Sequence, residues 1–217
     1  MMLYEKYRPR TWSEVVGQDA AVRTVRALIE APDFDGDVFW IDAAAGASGV
    51  GKTTIARLIG EQLADPFFVT LLPGDRCNQA AVREIERSAW TRSWSADKPF
   101  KVWIIDEAAK LTEGAVDAFL TFLENMPPNI VIIFTTIGAI DAGLFGDDSG
   151  AFGSRCKRIK LTNQGLAKAQ AKRVKEIAQL EGKDGQPPER YERLAKDCNN
   201  NMRAQLQKVQ AGAMLAE

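Results

Sequence analysis

Gly46-Ala-Ser-Gly-Val-Gly-Lys52-Thr53 stands between a buried apolar run, Asp37-Val-Phe-Trp-Ile-Asp-Ala43, and a stretch with helically spaced apolar residues at Ile55, Leu58, Ile59 and Leu63. Strand, glycine loop and helix in that order form the setting in which such a loop wraps a nucleoside triphosphate. The glycines let successive backbone N–H groups turn inward toward phosphate oxygens, and the helix adds the positive end of its dipole. On this reading Gly46, Ala47, Ser48, Gly49, Val50 and Gly51 cradle the phosphates of ATP or GTP. Lys52 reaches the β- and γ-phosphates, and Thr53 holds Mg²⁺.

Working outward, Lys101-Val-Trp-Ile-Ile-Asp106-Glu107 is an apolar strand that ends in two carboxylates. In a parallel sheet the carboxyl ends of the strands form the ligand edge, so both acids arrive near the phosphates. Asp106 then assists Mg²⁺ through its water shell, and Glu107 orients and polarises the attacking water. Ile130-Val-Ile-Ile-Phe-Thr135-Thr136 is a second buried strand ending in hydroxyls at the same edge, with Thr136 the candidate to hold the water or sense the γ-phosphate. Arg155, in Ser154-Arg155-Cys156, and Arg203 are guanidinium groups able to neutralise charge on a transferred phosphoryl group, in this chain or in a neighbour.

Apolar runs alternate with helical patterns as far as Thr162, the pattern of a parallel sheet covered by helices on both faces. The strands predicted are Val38–Ile41, Phe67–Leu71, Lys101–Ile105, Ile130–Thr135 and Lys157–Leu161. The helices predicted are Asp19–Glu30, Lys52–Leu63, Gln79–Trp90 and Glu113–Glu124. Strand signals then stop, and helical patterns follow at Gln164–Glu181, Pro188–Cys198 and Met202–Leu215, the first two separated by the breakers of Lys183-Asp-Gly-Gln-Pro-Pro188. The fold class expected is α/β, with an α/β nucleotide domain over residues 1–162 and a small helical domain over 163–217.

Among the 217 residues 46% are hydrophobic and 26% charged, and the net charge is −1, ordinary values for a soluble globular protein. No apolar run is long enough for a membrane span and no secretory signal opens the chain, so the expected location is the cytoplasm, with no membrane partner. Three widely spaced cysteines indicate neither a disulfide framework nor a zinc cluster. The absence of histidine removes every His-based acid/base or metal mechanism for this polypeptide alone, leaving carboxylates, lysine, arginine and Mg²⁺. Near-neutral charge argues against coating DNA nonspecifically, though not against a local basic stripe.

The order of motifs resembles the AAA+ subunits of DNA sliding-clamp loaders along nearly the whole chain. Tyr4-Glu-Lys-Tyr-Arg-Pro-Arg-Thr-Trp-Ser-Glu-Val-Val-Gly-Gln18 is similar to the opening of that family. Gly46 to Thr54 and Asp106-Glu-Ala resemble its Walker A and Walker B elements. Leu123-Glu-Asn-Met-Pro-Pro and Phe134-Thr-Thr resemble the approach to sensor 1, and Ser154-Arg155-Cys156 its arginine-finger motif. Asn200-Asn-Met-Arg203 stands where the helical lid carries sensor 2. The resemblance implies that Tyr4, Tyr7, Arg8, Val16 and Gly17 border adenine and select ATP, and that Thr54 belongs to the phosphate loop. It implies that Arg203 touches the γ-phosphate of its own site while Arg155 reaches the adjacent subunit's. The implied partners are other loader subunits in a pentameric ring, a sliding clamp and primer-template DNA. ATP binding would assemble the ring and open the clamp, and hydrolysis would release clamp and DNA at the replisome.

The pattern is also departed from. The span between Thr136 and Arg155 is longer than the family's, and Gly143-Leu-Phe-Gly-Asp-Asp-Ser-Gly-Ala-Phe-Gly153 reads as a flexible insertion. No four-cysteine module lies between Walker A and Walker B, and the sequence stops after the lid where the family continues into a collar, so the expectation is either a shortened chain or a compact homologue that assembles differently. Arg76, Asn78, Arg83 and Lys110 are candidate phosphate contacts to DNA. Trp90 and Trp94 are expected to pack on the domain's own core rather than to form a stacking ridge. Two other readings stay open: a different DNA-processing AAA+ ATPase, of the Holliday-junction or fork-restart kind, and a nucleotide-gated scaffold that hardly turns over.

Overall fold

The computed structural model describes residues 1–44, 47–91, 95, 97–136 and 152–216. Five strands form one parallel sheet: β1 (Gly36–Ala43), β2 (Val69–Pro73), β3 (Lys101–Asp106), β4 (Ile130–Thr135) and β5 (Lys157–Leu161), in the order β2-β3-β4-β1-β5. β1 lies between β4 and β5, with Ile41 opposite Thr135 on one side and Ile159 on the other. Placing β1 inside the sheet brings the phosphate loop that follows it beside the carboxyl ends of β3 and β4.

The helices are α1 (Leu3–Lys6), α2 (Asp19–Ile29), α3 (Lys52–Leu63), α4 (Gln79–Ala89), α5 (Glu113–Glu124), α6 (Ala167–Leu180), α7 (Pro188–Asp197) and α8 (Met202–Gln210). Alternation along β1 sends Phe39 and Ile41 into a core with Ile55 and Ile59 of α3 and Val25 of α2. Trp40 goes to the opposite core, with Phe134, with Val82 and Ile85 of α4, and with Phe119 of α5. Trp40 and Phe134 stack at 5.6 Å between centroids, and Phe119 meets Phe134 edge-on at 5.0 Å.

A third core joins Val174 and Ile177 of α6, Tyr191 and Leu194 of α7, and Leu206 and Val209 of α8. Leu3 belongs to it, 4% exposed, and burial of one such side chain stabilises by roughly 1.5–3 kcal/mol. The Leu3 amide donates to Gln210 Oε1 at 3.0 Å, while the Tyr7 hydroxyl and Lys6 Nζ both donate to Glu181 Oε1, at 2.5 and 2.6 Å. Residues 3–7 are thereby fastened to the C-terminal helices.

Helices α3 and α5 have the predicted bounds, and α2, α4 and α7 end one residue earlier than predicted. The predicted strand Phe67–Leu71 is shifted: Asp65 caps a 3-10 turn at Pro66–Phe68, and the strand runs from Val69 to Pro73. Gln164–Glu181 shortens to Ala167–Leu180, since Gly165 takes φ +71° ahead of it. Met202–Leu215 ends at Gln210, where the Gly212 and Ala213 amides bond back to Val209 and Lys208 carbonyls with Gly212 left-handed, a C-terminal stop. Trp90 does not pack on the core; it is 65% exposed just past the end of α4. Trp94 lies outside the described residues, as does the segment 143–151. Phe152, read as part of a flexible insertion, is instead buried against Trp40 and Phe134. Among the described residues no helix is long and apolar enough to cross a membrane.

Candidate nucleotide site

The carboxyl edge of β1, β3 and β4 meets the N-terminus of α3 in a cavity lined by Ser48, Gly49, Val50, Gly51, Lys52, Thr53 and Thr54. Gly51 precedes α3, so the first-turn N–H groups of that helix face the cavity without internal partners. Lys52 is buried and its Nζ donates to the Ala47 carbonyl at 2.8 Å. Burial pushes its ammonium below the ordinary lysine value, while Asp106 and Asp42 pull the other way. Ala47 does not line the cavity, and Gly46 lies outside the described residues.

Asp106 and Glu107 both line the cavity. Thr53 Oγ1 donates to Asp106 Oδ1 at 2.8 Å, and Thr135 Oγ1 donates to the same oxygen at 2.5 Å. Thr135 also accepts from the Glu107 amide at 3.2 Å. Thr136 lines the cavity as well, but its amide is held by the Ile41 carbonyl at 3.1 Å. The hydroxyl joined to both carboxylate residues is Thr135, to which the sequence reading gave no role; strand alternation from the buried Phe134 could have singled it out. Glu107 stands at φ 58°, just past β3, with its side chain paired to Lys110. The fit is tight behind it: a Cβ on Gly74 would meet the Glu107 carbonyl oxygen at 2.4 Å.

On the other side of the cavity stand Tyr4, Tyr7, Arg8, Pro9, Glu14, Val15 and Val16 from the N-terminal segment. Gly17 is not among the lining residues; it turns with φ +73° against Leu166, and Gln18 next to it ties the loop down. Gln18 Nε2 donates to the Val50 and Thr162 carbonyls at 3.2 and 2.9 Å, and its Oε1 accepts from the Thr162 amide at 3.1 Å. The hydrogen bond to Glu181 pushes the Tyr7 hydroxyl above its ordinary value.

From the C-terminal helices come Gln170, Arg173 and Ile177 of α6 and Met202, Arg203 and Leu206 of α8. Of these only Arg203 was predicted; a helix's apolar stripe does not say which of its edges meets a cavity. The Arg203 guanidinium lies 5.5 Å from the centre of the Tyr4 ring. Neither Arg8 nor Arg203 has an ion-pair partner among the described residues, and burial followed by Arg57 and Arg203 pushes Arg8 below its ordinary value. A half-buried crowd of cations around a glycine loop suits a polyanion, with Thr53 and Asp106 side by side as oxygen donors suited to a divalent cation.

Arg155 does not line this cavity. It ends a turn at Gly153–Arg155 before β5, and its Nη2 donates to Glu124 Oε1 at 2.7 Å. Of the candidate DNA contacts, Asn78 caps α4 by accepting from the Ala81 amide, Lys110 is paired with Glu107, and Arg76 and Arg83 are exposed. No cluster of metal-ligating His, Cys, Asp and Glu exists among the described residues. Burial pushes the Cys77 thiol up to about 11 and that of Cys156 up to about 12.

Helix α8 rests on the phosphate loop. The Met202 amide donates to the Gly49 carbonyl at 3.3 Å, and Asn201 caps α8 by accepting from the Ala204 amide. Gly49 has φ +67°, and a Cβ there would lie 1.9 Å from Asn201 Oδ1. Gly49→Ala is therefore expected to cost about 1–3 kcal/mol in backbone strain and to lift α8 from the loop. Thermal unfolding together with a nucleotide titration checks this; unchanged melting and affinity would contradict the contact.

A profile of the ATPase family associated with various cellular activities (AAA) matches residues 43–145. Fold, loop and profile together make the chain similar to the AAA+ ATPases, the profile matching a little under half of its length. In sequence it is similar to subunits of DNA polymerase III and of replication factor C. It is 32% identical over 160 residues to the DNA polymerase III subunit gamma/tau of Mycoplasma pneumoniae, covering 62% of this chain and 22% of that one. It is 33% identical over 125 residues to the replication factor C small subunit of Archaeoglobus fulgidus, covering 55% and 37% respectively. The chain thus spans well under half the length of these relatives. Among solved structures, the RuvB Holliday junction branch migration motor of Thermotoga maritima superposes with a TM-score of 0.67 at 20% identity, over 94% of this chain and 64% of that one. At that identity the likeness is one of fold.

Proposed function

We propose that the chain is the ATP-hydrolysing motor part of a clamp loader, acting in the cytoplasm beside the replisome in a ring with other subunits. The observation that carries the reading is the division of its arginines. Arg203 lines the chain's own cavity, whereas Arg155, in the Ser-Arg-Cys triplet, stands outside it on the turn before an edge strand. A site whose second arginine comes from a neighbour is complete only in an assembly. The sequence likeness to two clamp-loader subunits supports the same reading.

The loop amides and Lys52 would hold the triphosphate, and Tyr4, Tyr7, Arg8 and Val16 would hold the base. Mg²⁺, when bound, supplies charge neutralisation at the phosphate oxygens, and Thr53 and Asp106 would hold it. Glu107 would accept the proton of the attacking water, with Thr135 fixing both carboxylate residues and Thr136 at the same edge. Arg203, seated on α8, would draw the C-terminal helices onto the phosphates. Primer-template DNA would be gripped through phosphate contacts such as Arg76 and Arg83.

The test is retention on the cognate sliding clamp in ATP, with turnover measured as clamp and primer-template DNA are added. Retention in ATP but not ADP, and faster turnover with both partners, is the expected result. Hydrolysis without any clamp contact would favour another DNA-processing AAA+ motor, the kind of protein whose fold the RuvB structure shares.

A further inference from the structure

Two anchors bracket Arg155 in the sequence, Phe152 before it and Arg158 after it. Phe152 is buried, its ring edge-on to Trp40 at 5.8 Å and to Phe134 at 5.1 Å. Arg158, on the edge strand β5, donates from Nε and Nη2 to a single oxygen, Asp42 Oδ2, at 3.0 and 2.6 Å. The Asp42 side chain is 2% exposed and belongs to the end of β1, where the chain enters the phosphate loop. In the β1–β5 ladder Arg158 is opposite Trp40 and Asp42 is opposite Lys160, so the guanidinium reaches diagonally along the sheet toward the ligand edge.

The arrangement is poorly suited to stability alone. A guanidinium facing a carboxylate does best as a two-pronged fork to both oxygens, yet here both N–H groups share one. The other oxygen, Asp42 Oδ1, is buried and has no hydrogen-bond partner among the described residues. A buried ion pair gives back in desolvation much of what attraction supplies, and an unsatisfied buried acceptor adds to the cost. What the pair does provide is a side-chain tie between the strand that leads into the phosphate loop and the strand that begins two residues after Arg155.

We propose that Arg158, held by Asp42, is a positioning residue for Arg155: it sets how far the guanidinium offered to the neighbouring subunit stands from the chain's own phosphate loop. The inference rests on the role of Arg155 given under Proposed function.

The test uses the ring assembled in ATP, with the neutral pair Asp42→Asn/Arg158→Gln, which leaves no lone buried charge, and Arg158→Lys, which keeps the charge without the two-donor contact. Melting curves of the isolated chain accompany both. The expected result for the neutral pair is nucleotide affinity and KM nearly unchanged, with kcat of the ring lowered on the order of 10²-fold, the effect of a small misplacement. Arg158→Lys should recover part of the loss. In an Arg155→Ala background the neutral pair should cost nothing further. Unchanged kcat, a raised KM with kcat preserved, or a further loss without Arg155 would each overturn the inference. If Arg155→Ala itself keeps full turnover, the reading of Arg155 fails and this inference falls with it. If Arg155→Ala lowers turnover and the neutral pair does not, only the inference fails.

Discussion

Glu107→Gln is expected to leave nucleotide affinity nearly intact and to lower hydrolysis by roughly 10²–10⁴-fold, the usual worth of a positioned general base. Affinity survives because the groups proposed to face the phosphates are held by other contacts, Lys52 by the Ala47 carbonyl and Thr53 by Asp106, and Glu107 is the weakest of the named influences on the Lys52 charge. The backbone stays put as well. The Glu107 amide is held by Thr135 Oγ1, and its carbonyl is backed by Gly74, so the left-handed turn at φ 58° is fixed from both sides. What the amide side chain loses is the capacity to take a proton. The pair with Lys110 is exposed at both ends and contributes about 0–1 kcal/mol, so its weakening does not complicate the result. Binding by a fluorescent ATP analogue and single-turnover phosphate release separate the two quantities. Hydrolysis near the parent rate would remove Glu107 from the reaction, and a parallel loss of binding would make it an electrostatic support of the loop.

Arg155→Ala is expected to leave nucleotide binding by the isolated chain unaltered and to lower turnover in assembled rings on the order of 10³-fold. The first half follows from its position outside the cavity. Glu124, one partner of Arg155, is 55% exposed and Arg155 itself 31%, so the pair between them contributes only about 0–1 kcal/mol. The second half follows from the charge that builds on a transferred phosphoryl group, which an extra guanidinium offsets in a water-poor site. Arg203→Ala supplies the contrast, since Arg203 lines the chain's own cavity and its loss should weaken binding directly. Mixing parent and variant chains reads out which site each arginine serves. Full turnover by rings of Arg155→Ala would discredit the assignment.

The parallel sheet, its five strands and the phosphate loop were legible because each carries a strong local signal: a fully apolar run, a glycine spacing, a helical stripe. Caps made α5 readable to the residue, with Thr112 accepting from the Ala115 amide. Signals that depend on competition were not. Phe67 and Phe68 look like strand residues, but Asp65 and Pro66 fold them into a turn. Trp90 looks like core, yet α4 ends before it and leaves it in solvent. In the candidate site the groups contributed by glycine loop and strand ends were visible. Gln170, Arg173, Ile177 and Leu206 were not, because which edge of a C-terminal helix meets the cavity depends on tertiary packing. Thr135 as a partner of Asp106 was not visible either: two adjacent hydroxyls differ only in the side of the strand on which they emerge.

The fastening of residues 3–7 to the C-terminal helices bears on how such proteins can be recombined. A helical module cut at residue 163 and grafted onto a relative would leave behind Leu3, part of its own core, and the Tyr7 and Lys6 groups that hold Glu181. A chimera has to inherit both ends of the chain from the same parent.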